Sequence, residues 1–121
     1  MQCEVEYTDE FENWWNELTE SEQESVDSCV DLLERLGATL GYPYSCDVRG
    51  ARHSQMRELR VQHKGRPIRI LYAFDPRRMA MLLIGGDKTG NNRWYEQFVP
   101  IADSLYDEHL DMLKREGLID G

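Results

Sequence analysis

The chain is predicted to be an α+β protein of order β-α-α-β-β-β-α. A helical hairpin and a C-terminal helix pack on one twisted, mostly antiparallel four-stranded sheet. Three observations predict this. Apolar residues recur at helical spacing near both ends of the sequence, and three consecutive runs in the middle read as strands separated by turns of two or three residues. At 121 residues there is length for one core and hence one domain, 1–121. Turns that short join antiparallel neighbours, and helices segregated from strands along the chain give α+β order.

The elements follow in order. "CEVEY" (3–7) alternates and reads as a short strand. "TDEFENWWNELTE" places Phe11, Trp14, Trp15 and Leu18 at i, i+3, i+4 and i+7, so it is an amphipathic helix capped by Thr8, with Asp9, Glu10 and Glu12 in its first turn. A second helix opens on a capping box, either Thr19 with Glu22 or Ser21 with Glu24. It carries Val26, Cys29, Val30, Leu33 and Leu36 and stops at Gly37. "GATLGYPYSCDVRGARHSQ" is an irregular connector with a turn at Tyr42-Pro43.

Three strands come next: "MRELRVQH", "RPIRILYAF" and "MAMLLIGG". In the first, Leu59 and Val61 point one way and Glu58, Arg60 and Gln62 the other. In the second, Ile68, Ile70, Tyr72 and Phe74 oppose Arg69, Leu71 and Ala73. If the helices cover the apolar sets, Arg60 and Arg69 share the opposite, open face. The third strand is apolar on both faces and so central. The last helix is expected to begin at Pro100, after a helical turn in "RWYEQF". It buries Ile101, Ala102, Leu105, Tyr106, His109 and then Met112 or Leu113.

The net charge of −9 hides a strong asymmetry. Residues 49–93 carry 11 of the 14 basic residues against three acids, Glu58, Asp75 and Asp87. That segment is at +8, and the remainder, at 3 − 20, is at −17. Nine of its 11 cations are arginines, whose planar fork suits phosphate or carboxylate. The acidic helices read as solvated faces, with a docking surface for a basic partner as the sharper reading.

No apolar run is long enough to span a membrane, and "MQCEVEYTDEFE" has no apolar core of a signal peptide, so a cytoplasmic protein is expected. Three cysteines without C-x-x-C spacing predict neither a disulfide framework nor a zinc site. No metal or cofactor is expected.

"LLIGGDKTGNNRWYEQF" (82–98) is the most irregular join. It is no phosphate-cradling P-loop, which needs lysine directly after the last glycine of G-x-x-x-x-G-K-S/T. Its glycines are expected to let the central strand leave the sheet and turn.

The ordered set "MRELRVQHKGRPIRILYAFDPRRMAMLLIGGDKT" resembles the RelE/ParE toxin superfamily, and within it the phage-derived HigB branch. That branch carries an E-L-R strand, a strand like "IRILYAF", an apolar L-L strand and a lysine-bearing loop before the last helix. The resemblance covers nearly the whole chain. It implies a toxin of a bacterial type II toxin–antitoxin pair that cleaves mRNA on the ribosome. It also implies a cognate antitoxin, often of helix-turn-helix type, through which alone operator DNA is contacted.

Carried over, the catalytic positions are Arg60, Arg69, Lys88 and Tyr95. The branch commonly has two adjacent lysines in the loop, whereas the first position here is Asp87. The alternatives are a ParE-like gyrase inhibitor, which would lack this basic and aromatic set, and a toxin fold weakened by Asp87 and kept for its antitoxin contact.

Metal-free RNA cleavage must take a proton from the 2′-OH, stabilise the charged phosphorane and protonate the 5′-oxygen. Two arginines suit the second task. Lys88 and Tyr95 are candidates for proton transfer, and Trp94 and Tyr95 for stacking on a splayed base. Arg57, Arg66, Arg77, Arg78, Arg93 and His53 complete the expected RNA- and ribosome-binding set. Arg77 and Arg78 also read as solvated turn residues. His63, on the apolar side of its strand, reads as a satisfied structural histidine.

Overall fold

The computed structural model describes residues 2–121. Strand β1 (Val5–Tyr7) leads into helices α1 (Asp9–Asn16) and α2 (Glu20–Leu36). Strands β2 (Ser45–Asp47), β3 (Arg57–His63), β4 (Arg66–Phe74) and β5 (Ala80–Asp87) follow, and helix α3 (Trp94–Arg115) ends the fold. The sheet has five strands, not four, in the order β1-β5-β4-β3-β2. β1 runs parallel to β5, and every other pairing is antiparallel. The extra strand, β2, lies in the connector read as irregular. Its three residues are too few to show a period, and it exists because it pairs with the free edge of β3, Ser45 opposite Leu59.

Both faces of the sheet are covered. On one, α1 and α2 bury Phe11, Val26 and Leu33 against Leu59, Val61, Ile68, Ile70, Tyr72 and Leu82. On the other, α3 lays Trp94, Val99, Ala102 and Tyr106 over Leu71, Ala73, Met81 and Leu83. At about 1.5–3 kcal/mol for each large apolar side chain, burial on these two faces is the main drive to fold. The central place of the third predicted strand holds, since β5 sits between β1 and β4.

Local chemistry sets the helix ends. The Thr8 hydroxyl accepts from the Phe11 amide at 3.0 Å and donates to the Leu83 carbonyl at 2.6 Å, where β5 bulges against β4. Of the two possible capping boxes, Thr19 with Glu22 is the one formed. α3 starts six residues earlier than expected, and Pro100 sits inside it on the exposed side. A proline there removes one helix bond and costs about 3 kcal/mol. Burial of Trp94 and Val99 in the turns before it outweighs that. Ile101, expected in the buried stripe, lies beside Pro100 on the outward face and is exposed, because Val99, Ala102, Leu105 and Tyr106 take the face against the sheet.

Gly85 and Gly86 do not release β5 from the sheet. Both are paired with β4, opposite Ile70 and Arg69. They are glycines because a tryptophan presses on each from opposite faces. A Cβ on Gly85 would lie 2.4 Å from the Trp14 ring, and one on Gly86 would lie 2.7 Å from Trp94 Nε1.

Candidate active site

Arg60 on β3 and Arg69 on β4 are register partners, so their side chains rise from the same face as neighbours. That face is not open. The first turn of α3 covers it, and Arg69 is only 4% exposed. A buried guanidinium requires a counter-charge, and Glu58, also 4% exposed, supplies it. Arg69 Nε lies 3.7 Å from Glu58 Oε1, and Arg60 Nη1 lies 3.3 Å from Glu58 Oε2. Arg69 Nη1 also donates to Gln62 Oε1 at 3.2 Å and to the Ile68 carbonyl at 3.0 Å.

Tyr95 closes the cluster by donating its hydroxyl to Glu58 Oε1 at 2.6 Å. Burial, and then this bond to a carboxylate, push the Tyr95 phenol up to about 12. It therefore keeps its proton at neutral pH. The Lys88 ammonium lies over the Tyr95 ring, 5.3 Å from its centroid, and is partly exposed. Two guanidiniums at one carboxylate, with the Lys88 ammonium over Tyr95, leave the cluster doubly positive, Arg60 and Lys88 being its partly exposed members. Cys46 Sγ donates to Glu58 Oε2 at 3.1 Å, and burial followed by that carboxylate pushes its thiol up.

The four residues carried over by resemblance are thus brought together: Arg60, Arg69 and Tyr95 meet at Glu58, and Lys88 joins them through the Tyr95 ring. Glu58, Gln62 and Cys46 are members that sequence reasoning missed. The signal for Glu58 was present, since it falls on Arg60's side of the strand and is one of three acids among 11 bases.

Most of the wider RNA-binding set lies elsewhere. Trp94 is buried between Gly86 and Phe98, so it cannot stack on a base; its approach to the strand requires that burial. His53 is tied to α3, its ring to Asp107 at 2.7 Å and its amide to Asp103 at 3.1 Å. Arg57 is held by Asp47 and Ser45. Arg77 is not a solvated turn residue but is clamped between Asp75 and Glu6, both at 2.7 Å, at the far end of β4. Arg78, beside it, is exposed. Arg93 pairs with Glu96 on the surface. His63 is a satisfied structural histidine, 2.7 Å from the Ser25 hydroxyl.

Arg66 bridges Glu22 on α2, at 2.5 Å, and Asp87, at 2.9 Å. Asp87 Oδ1 in turn accepts from the Thr89 amide and hydroxyl at 2.9 and 2.5 Å. Burial opposes ionisation of Asp87, but the bonds from Thr89 and then Arg66 outweigh it and hold its carboxyl below the ordinary range. Asp87 therefore shapes the turn that delivers Lys88. Many cations of the basic segment are neutralised by the acidic flanks in this way, as in Arg52–Asp107, Arg66–Glu22 and Arg77–Glu6.

A family model described as phage-derived protein, Gp49-like, matches residues 13–107. The chain belongs to the Gp49-like family. The Gp49-like chain is 47% identical over 95 residues to the toxin candidate HigB3 of Mycobacterium tuberculosis, covering 78% of this chain and 82% of HigB3. It is 42% identical over 99 residues to the toxin candidate HigB2 of the same organism, covering 80% of this chain but only 49%, about half, of HigB2. Among solved structures, the fold is similar to a double mutant of E. coli toxin RelE in the free state, with TM-score 0.56, 10% identity and coverage of 79% and 94% of the two chains. It is also similar to the intact E. coli RelBE toxin–antitoxin complex, with TM-score 0.51, 13% identity and coverage of 69% and 94%. Those two likenesses show the fold.

Proposed function

We propose that this Gp49-like chain is the toxin of a bacterial type II toxin–antitoxin pair, and that it cuts mRNA on the ribosome, in the cytoplasm, without a metal. The names of its M. tuberculosis relatives and its RelE-like fold support the toxin reading. The observation that carries the chemistry is the cluster itself: Arg60, Arg69 and Tyr95 converge on Glu58, with Lys88 over the Tyr95 ring.

The residues divide the reaction between them. The 2′-OH of the message gives its proton to the Tyr95 phenol oxygen as Tyr95 passes its own to Glu58, a two-step relay through the 2.6 Å bond. The 2′-oxygen bonds to phosphorus and the P–O5′ bond breaks, leaving a 2′,3′-cyclic phosphate. Lys88 gives a proton to the departing 5′-oxygen. Arg60, on the outer side, stabilises the phosphorane, and Arg69 acts from behind by holding Glu58 in place. A cognate antitoxin, of helix-turn-helix type, restrains the toxin and carries the contact with operator DNA.

Inducing the chain alone in bacteria and mapping mRNA 5′ ends tests this. New cuts confined to translated frames, reproduced in vitro only with ribosomes and by protein that carries no bound metal on elemental analysis, are expected. DNA damage with intact messages, or normal growth, would overturn it.

A further inference from the structure

The proposed chemistry needs a nucleobase held beside the cut, and the two aromatics that the sequence offered for this are engaged. Trp94 is buried, and Tyr95 donates to Glu58 beneath Lys88. A different aromatic stands at the cluster. Tyr42, in the connector before β2, is 77% exposed. The Arg60 guanidinium lies over its ring, 5.5 Å from the centroid. The segment is pinned there by backbone, because the Arg60 amide donates to the Tyr44 carbonyl at 2.8 Å. The turn itself is closed by the amides of Tyr44 and Ser45 on the Gly41 carbonyl, at 3.0 and 3.1 Å.

We propose that Tyr42 is a stacking platform for a base of the message next to the scissile phosphate. This rests on the nuclease reading above. A single exposed aromatic is ordinary on a protein surface; what marks Tyr42 is that its ring is held beside a guanidinium of the cluster. Fixed beside a cation, it has the combination that single-stranded nucleic acid uses: a π-face for the base and a guanidinium for the phosphate of the same nucleotide. Arg60 bridges the two tasks, since it contacts Glu58 of the cluster and the Tyr42 ring. The platform accepts any base, because stacking reads the ring face and not the hydrogen-bonding edge.

The test uses ribosomes programmed with synthetic messages, either intact or with one abasic nucleotide placed in turn on each side of the cut. Tyr42→Ala should lower kcat/KM on the intact message about tenfold, the range of one lost base stack. Tyr42→Phe and Tyr42→Trp should stay within about twofold of wild type, since both keep the π-face. On one of the two abasic messages wild type should fall to the Tyr42→Ala level, with no further loss in Tyr42→Ala. Circular dichroism should show all variants folded. If wild type cuts but Tyr42→Ala cuts equally well, the platform is wrong and the nuclease reading stands. The platform is also wrong if the Tyr42→Ala loss persists in full on both abasic messages, because Tyr42 then acts only through Arg60. If wild type cuts nothing, both fall.

Discussion

The Tyr95 hydroxyl meets Glu58 at 2.6 Å, and the same carboxylate faces both Arg60 and Arg69. One buried acid therefore orients a phenol and balances two guanidiniums. Glu58→Gln keeps the shape and an acceptor for Tyr95 but removes the charge that Arg69 is buried against. Breaking a buried pair leaves an uncompensated ion, which costs about 3–5 kcal/mol. A loss of about 3 kcal/mol is expected in urea unfolding, against about 1–2 kcal/mol for Tyr95→Phe, which loses one bond to a charged acceptor. Message cleavage should be abolished by Glu58→Gln. A Glu58→Gln protein as stable and as active as wild type would remove Glu58 from the site.

Lys88 and Arg69 separate catalysis from folding. The Lys88 side chain is partly exposed and lies over the Tyr95 ring. Lys88→Ala should lower cleavage about 100-fold, the range of a lost proton donor, with stability within about 0.5 kcal/mol. Arg69, on β4, is buried beneath the first turn of α3, so Arg69→Ala should destabilise by about 3 kcal/mol and lose toxicity partly through unfolding. Arg69→Lys, which keeps the charge but not the fork, should fold better than Arg69→Ala yet remain weak. Unfolding curves read beside single-turnover cleavage decide it. Equal loss of stability in Lys88→Ala and Arg69→Ala would refute the division.

What was legible in the sequence was whatever repeats at a fixed period. The alternation of β3 and β4, the two-sided burial of β5 and most of the α1 and α2 stripes appear as read; Leu36, expected in the α2 stripe, is exposed at the helix's last residue, and Leu18 falls beyond the end of α1. What was not legible depends on contacts far apart in sequence. β2 is a strand only because β3 has a free edge. The start of α3 was hidden by Pro100, whose local penalty is overcome by Trp94 packing under Gly86. That one contact also decides the site, because it lays the first turn of α3 over Arg69 and turns an expected open arginine face into a buried ion cluster. Alternation placed Arg60 and Arg69 on one face correctly; it has no information on what covers that face.

Gly85 is fixed by shape. A methyl group there would sit 2.4 Å from the Trp14 ring, well inside contact distance, with β5 paired on both sides. Gly85→Ala should destabilise by about 2–3 kcal/mol, the usual cost of overpacking a rigid core. Adding Trp14→Leu makes room, so the double variant should be more stable than the sum of the single losses predicts. Thermal unfolding of the four proteins gives the coupling directly. Strict additivity would mean that Trp14 does not enforce the glycine.

Asp87 directly precedes Lys88 at the end of β5, and the geometry gives it a structural task. It accepts from Thr89 twice and from Arg66 once, so it holds the turn that delivers Lys88 over Tyr95. Asp87→Ala should cost about 1 kcal/mol and lower cleavage through misplacement of Lys88. Asp87→Lys should be worse, because it puts a cation against Arg66. The pH dependence has a definite sign. The folded carboxyl is held below its unfolded value, near 3.9, so its contribution is complete above about pH 4. It is lost as pH falls through the lower folded value. Wild type and Asp87→Ala should therefore differ in stability at pH 6 and converge toward pH 3. Urea titrations at pH 6, 4 and 3 read this, and a difference that grows on acidification would contradict the assignment.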